Sequence, residues 1–237
     1  MKGLNLLIET DDFVAVNKPA GMLTIPDRHN ENILSLYAIL SKLYEKIYVV
    51  HRLDKHTSGV VLFAKNAEAH QKLSLLFENR NIYKAYLGFV SGRLQPEKGT
   101  VSQPLAEHPF KKGEMVVTKK GKPSVTDYEV LETFNFCSFV KFIIHSGRTH
   151  QIRVHAKYLG HPLLADNVYG KGEAVFLSTF KKKFHLGKNE LEEKPLLDRT
   201  ALHAASIGFE LFGKKYLIEA PLPKDMSALY NQLKKHA

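Results

Sequence analysis

Apolar residues fall along the chain in two rhythms. Phe13 to Val16 form a short apolar run that ends at Asn17-Lys18-Pro19, because proline lacks a donor and restricts its neighbour, so a strand and then a turn at Ala20-Gly21 are predicted. Between Asn30 and Tyr44, Ile33, Leu34, Leu36, Tyr37, Leu40, Leu43 and Tyr44 recur every three or four positions, which predicts an amphipathic helix. Val60 to Ala64 is too short for a helix and β-branched at its start, so it reads as a buried strand behind the turn-forming Thr57-Ser58-Gly59. Asn66 caps a helix that turns Ala69, Leu73, Leu76 and Phe77 to one face and ends near Arg80.

Ile82 to Val90 alternates as a strand. Ser124 to Leu131 and Ser138 to Ile144 flank a turn at Phe134 to Cys137 and predict an antiparallel hairpin. Thr149 is expected to cap a short helix holding Ile152, Ala156 and Leu159, which stops at Gly160 and Pro162. Gly170 to Arg199 carries few large apolar residues and reads as a partly helical excursion over the main body. Leu202 to Phe212 and Lys215 to Ala220 return to strand composition around Gly213, and Asp225 to His236 predicts a terminal helix with Met226, Leu229, Tyr230 and Leu233 inward. Strands linked by short turns, with helices interspersed irregularly, predict an α+β fold: a mostly antiparallel mixed sheet with flanking helices and loops. Residues 1–237 are expected to form one domain, with 171–200 an insertion within it.

Charge narrows the class of partner. Lys and Arg number 34 against 24 Asp and Glu, a formal net charge of +10, with twelve histidines besides. Such a surplus favours a polyanion and names no reaction. No apolar run reaches the roughly 18 residues of a membrane-spanning helix, and the N-terminus turns acidic within its first dozen residues, unlike a secretory or transit leader. A soluble, cytoplasmic protein is expected. The single cysteine, Cys137, excludes an internal disulfide and a multi-thiolate zinc site. His51 with His56, and His150 with His155, are spaced five apart, which does not match the i, i+4 pair of a helical zinc motif, so no metal is expected.

Three clusters carry candidate chemistry. Asp54 stands among His51, Arg52, Lys55 and His56, just before a turn and a buried strand, a placement that holds a carboxylate rigidly for nucleophilic or base work; a turn-capping aspartate is the plainer alternative. Gly147-Arg148-Thr149-His150-Gln151-Ile152-Arg153-Val154-His155 lies where a strand meets a helix, and helix starts attract anions. Arg148 and Arg153 cannot both point one way from that helix; Arg153, beside Ile152, is expected inward, where a guanidinium needs a carboxylate partner. Lys84 and Tyr86 alternate onto one strand face, where a ring can stack on a base.

His51-Arg52-Leu53-Asp54 with Thr57-Ser58-Gly59, and the segment from Gly147 to His155, closely resemble the two signature segments of RluA-type pseudouridine synthases. Asp12 to Met22, Lys84-Ala85-Tyr86, His161 to Leu164 with Tyr169-Gly170, Ala201 to Ala204 and Ala220 to Pro223 are similar to further blocks of that family, in the same order, so the resemblance covers almost the whole chain. It implies the pseudouridine synthase fold and, without any cofactor, the conversion of a uridine in structured rRNA or tRNA to pseudouridine. Asp54 matches the catalytic aspartate, which either attacks the sugar or removes a sugar proton. Tyr86 matches the tyrosine that stacks on the uracil and helps remove its C5 proton. Arg153 matches the arginine that pairs with the aspartate, and Arg52 one that enters the space left by a flipped base. His51, Lys84, Arg148, His150 and Gln151 are expected, with Arg52, to contact RNA, and Ile152 to contact the base. The chain is expected to start at the catalytic domain and to act as a monomer without an obligatory protein partner or a membrane. The competing reading is a catalytically silent RNA-binding or ribosome-assembly module on the same fold.

Overall fold

The computed structural model describes residues 4–27, 30, 33–186 and 192–236. In chain order the elements are β1 (Leu6–Glu9), β2 (Phe13–Lys18), α1 (Leu36–Leu40), β3 (Tyr48–Val49), β4 (Ser58–Ala64), α2 (Ala67–Glu78), β5 (Tyr83–Ser91), β6 (Lys98–Ser102), β7 (Leu105–Glu107) and β8 (Met115–Val117). There follow β9 (Val125–Thr133), β10 (Cys137–Ile144), α3 (Gln151–Tyr158), a single 3₁₀ turn at Leu177–Thr179, β11 (Leu202–Leu211), β12 (Lys214–Glu219) and α4 (Lys224–His236). The fold is α+β with mostly antiparallel strands. The chain divides into two compact units: Met1–Tyr86 with His203–Pro221, and Leu87–Leu202 with Leu222–Ala237.

In the first unit β2 pairs antiparallel with β4, Phe13 opposite Ala64 and Lys18 opposite Gly59, while β11 runs parallel to β4 with His203 opposite Ser58. Period-two alternation sends successive side chains to opposite faces. Phe13, Ala15, Val60, Leu62 and Ala64 meet Ala69 and Leu73 of α2 in one core. Val14, Val16, Val61 and Phe63 meet Leu36 and Leu40 of α1, and Leu53, in another. Both faces of β2 and β4 are therefore covered, which is why these strands read as continuous apolar runs rather than alternating ones.

Asn66 caps α2 as the sequence predicts, its side chain accepting from the Ala69 N–H at 2.8 Å. Helix α1 is much shorter than the predicted 30–44. Ser35 caps it from within that stretch, accepting from Ala38 N–H at 3.2 Å, so regular helix starts only at Leu36 and continues as turns after Leu40; residues 31 and 32 lie outside the described residues.

In the second unit β9 and β10 form the predicted hairpin, Ser138 opposite Thr133 and Ile144 opposite Thr126, and β6 adds to β9. Met226, Leu229 and Leu233 of α4 are fully buried against Phe89 and Phe139. Among its described residues the excursion after Gly170 carries a single 3₁₀ turn and is held at its ends: Val175 and Leu197 pair across a bridge and are buried in the same core, and the Phe180 ring stacks on Phe136 at 5.5 Å. Arg199 closes it with a two-pronged bond to Asp225, 2.6 and 3.0 Å.

Candidate active site

In the first unit the loop before β4 is fixed on two sides. The Leu53 side chain is buried in the core beside α1, with Tyr86 packed against the same cluster. Its backbone is clamped by the buried Thr24 hydroxyl, which accepts from Leu53 N–H and donates to Leu53 C=O, both at 3.1 Å. Thr24 is held in turn, because its carbonyl and that of Leu23 accept the first N–H groups of α1, from Tyr37 at 3.0 Å and Leu36 at 2.8 Å. Beyond Asp54, the wholly buried Lys18 donates from Nζ to the carbonyls of Pro19, Met22 and Lys55, and Gly21 N–H also reaches Lys55 C=O. Asp54 accepts Thr57 N–H on its own carbonyl at 3.1 Å, closing the turn. The carboxylate is thus carried by a loop with both neighbours anchored, half-buried between an exposed Arg52 and an exposed Lys55.

Tyr86, the last residue of this unit's part of β5, lies within electrostatic reach of Asp54. Burial, and then the Asp54 charge, push its phenol well above the usual tyrosine range. It is a neutral phenol at any physiological pH, fit to be a flat platform and hydrogen-bond donor rather than an ionised base.

His51 and Lys84 have structural work. The His51 ring stacks on Phe77 at 4.7 Å and its Nε2 accepts Leu62 N–H at 2.9 Å, so it is a neutral ring; burial and then Lys84 push it down to about 3. Lys84 Nζ lies 5.7 Å from the centre of the Phe77 ring, and burial, with Arg80 nearby, lowers it to about 8. Sequence reading places both at RNA; the structure commits the His51 nitrogen to the backbone of β4 and buries Lys84.

The second unit carries the other expected residues. Arg153 on α3 is buried, 7% exposed, as predicted, and its Nε and one Nη donate to Asp166 at 2.7 and 2.8 Å. Its guanidinium lies 4.9 Å from the Tyr169 ring centre. Asp166 is fully buried and also accepts the N–H groups of Val168 and Tyr169 at 3.0 Å. Burial alone raises its pKa, but the Arg153 bonds and charge, helped by those N–H groups, outweigh it and hold the carboxyl below its usual range. Asp166, which stands between His161-Leu164 and Tyr169-Gly170, is the acid the buried guanidinium calls for in this unit; an inward arginine is the signal in the sequence that such an acid exists.

Helix α3 begins differently from expectation. Its N-cap is His150, in the left-handed conformation with φ of 56° and without a side-chain cap, not Thr149. That conformation turns the His150 ring onto the Tyr169 hydroxyl, 2.7 Å from Nδ1, and the same hydroxyl accepts Met115 N–H at 2.8 Å.

Gln151, expected at RNA, is spent inside the protein instead. Its Oε1 accepts from Ser146 Oγ and Arg148 N–H, and its Nε2 donates to Val125 C=O and Thr126 Oγ1, which satisfies the buried amide in full. Thr126 passes the network to His155, whose Nε2 donates to Gln103 C=O at 3.0 Å. Ile152 is buried, 4% exposed. Arg148 Nε is buried with no hydrogen-bond partner among the described residues.

A rigidly held aspartate beside a neutral tyrosine, and a locked buried arginine on a helix entered through Gly147-Arg148-Thr149, are the parts a base-modifying enzyme needs. A family model described as RNA pseudouridylate synthase matches residues 12–158. The chain belongs to that family.

The relatives agree over nearly its whole length. It is 34% identical to ribosomal large subunit pseudouridine synthase D of Vibrio parahaemolyticus, over 98% of this chain and 71% of that protein, and 36% identical to the protein so named from Buchnera aphidicola, over 98% and 74%. The structure of human RNA pseudouridylate synthase domain containing 1 superposes with a TM-score of 0.73 at 26% identity, covering 94% of this chain and 84% of that one. This RNA pseudouridylate synthase is accordingly an isomerase with the fold of its family. Among the described residues no helix is long and apolar enough to cross a membrane.

Proposed function

We propose that this synthase isomerises uridines in structured ribosomal RNA, with Asp54 as the catalytic carboxylate, and that residues 1–237 serve it as one catalytic domain. The observation that carries the reading is the loop of Asp54, clamped at Leu53 and Lys55 and set within electrostatic reach of the Tyr86 phenol. The relatives named for the large ribosomal subunit support rRNA as the substrate, and the +10 charge suits any folded RNA.

The chemistry needs no oxidant. The C1′–N1 bond breaks with its electrons on the uracil, the ring turns, C5 joins C1′, and the proton lost from C5 is balanced by one gained at N1. Asp54 opens the sequence either by attack at C1′ or by taking a sugar proton; Tyr86 gives the extruded ring a face to lie on. Arg153 is assigned to steady the carboxylate, and its fixed hold on Asp166 supplies the rigidity this role needs. Arg52 takes the place of the flipped base, and Arg148, half-buried as a residue, suits a phosphate through the outer part of its guanidinium.

The test is tritium release from C5-labelled uridine in large-subunit rRNA. Release by the wild type and none by Asp54→Asn is expected. RNA that is bound but releases no tritium would make the protein a silent binding module, and wild-type release by the variant would remove Asp54 from the chemistry.

A further inference from the structure

A cavity of about 240 Å³ opens beside the Asp54 loop, within the first unit. One wall is the 23–27 segment, with Leu23, Ile25, Pro26 and Asp27; the other carries Arg52 and Lys55, the exposed cations that bracket Leu53-Asp54. Its base is the Thr24–Leu53 clamp, so the two walls are fixed to each other. We propose that this cavity receives the nucleotide next to the target uridine in the RNA chain and that Asp27 reads its base, with a preference for guanine. The proposal rests on the uridine chemistry assigned to Asp54.

The composition of the walls selects the ligand. Three aliphatic side chains, Leu23, Ile25 and Pro26, form a surface on which a flat ring can lie. Lys55, exposed on the other wall, suits a phosphate of a nucleotide whose neighbour reaches Asp54. Asp27 does not fit a phosphate, because two anions repel. It is a pure acceptor whose partner on RNA must be an N–H or a hydroxyl. Its Oδ1 is oriented by Asn30 N–H at 3.1 Å, and a carboxylate has acceptor sites for further hydrogens. Guanine presents two adjacent N–H donors, N1–H and N2–H, which match two carboxylate oxygens; the other bases present one kind of donor at most on that edge.

The experiment uses the shortest large-subunit rRNA fragment that the wild-type protein converts, with each of the four bases, inosine and an abasic residue placed in turn on either side of the target. At one of the two positions guanine should give the highest kcat/KM, with about a tenfold fall on its replacement and a smaller one for inosine, which lacks the N2 amine. Asp27→Ala and Asp27→Asn should convert guanine and inosine substrates equally. Ile25→Trp, which fills the cavity, should convert guanine and abasic substrates equally. Melting curves matching the wild type show that the variants fold, and Asp27→Asn, nearly the shape of the original, keeps the comparison open should either of the others not. A wild type indifferent to both neighbouring bases overturns the subsite while leaving the synthase activity standing. Failure to convert any RNA removes the reading on which it rests, and the subsite with it.

Discussion

Asp166 grips Arg153 through two parallel hydrogen bonds, 2.7 and 2.8 Å, while the N–H groups of Val168 and Tyr169 hold its Oδ1 from behind. The arginine lies in helix α3 and the acid in the loop after it, so the bond ties the loop to the helix as well as fixing the guanidinium plane. Tyr169 beneath the guanidinium and His150 against the tyrosine hydroxyl complete a packed stack.

Asp166→Ala leaves a buried guanidinium without this partner. A loss of about 3–5 kcal/mol in unfolding free energy is expected, read from urea denaturation, together with a loss of pseudouridine formation larger than the loss of RNA binding. A variant as stable as the wild type would show that the pair contributes nothing net to the fold.

Stability should fall as the solution is acidified, and the sign follows from the protons. Between pH 6.5 and about 3 an unfolded chain binds a proton at His51 that the folded ring refuses, so folding weakens with falling pH by up to about 1.4 kcal/mol per pH unit. His155, lowered mainly by burial, acts in the same direction. Asp166, held below the ordinary 3.8, adds its loss only once pH drops beneath that value. Urea unfolding at pH 7.5, 6 and 5 measures the slope, which should be flatter in His51→Gln; a wild type equally stable at all three pH values would contradict the neutral buried ring.

Thr24→Val keeps shape but removes both hydrogen bonds to Leu53. A cost of about 1–3 kcal/mol in stability and a fall of roughly 10- to 100-fold in kcat are expected, with KM for RNA little changed, because the loop loses its setting rather than its cations. Thr24→Ser, which retains the hydroxyl, should recover most of kcat. Equal effects of the Val and Ser variants would mean that packing, not the clamp, matters there.

Asp54→Asn should abolish product and leave RNA affinity within a few-fold of wild type, since Arg52 and Lys55 are untouched. Filter binding at two salt concentrations separates the two readouts.

The sequence reveals the elements whose signal is local. Asn66 and the 3.6-residue spacing after it mark α2, and the turn at Phe134 to Cys137 marks the β9–β10 hairpin, because each rests on contacts between near neighbours. Strands β1, β6, β7 and β8 escape, being short and only partly buried, with little apolar pattern to read. The same division runs through the site. Asp54, Tyr86 and Arg153 stand in recognisable motifs, whereas Thr24 acts through a hydroxyl on a backbone 29 residues away and Lys18 through an ammonium that donates to three backbone carbonyls. Neither leaves a trace in composition or spacing. Thr149 illustrates the opposite error: it is a good cap by type, but the left-handed turn at His150 moves the helix start one residue on.

Gly59 meets the backbone of Ala204 so closely that an added Cβ would sit 2.1 Å from the carbonyl oxygen, at a φ of +114°. No other residue type can occupy that point without prising β11 off β4 directly behind the Asp54 loop. Efforts to retarget this synthase to other RNAs should therefore leave 57–59 and Thr24 alone and diversify Ile25, Pro26 and Asp27 instead, which line the cavity but take no part in the strand pairing.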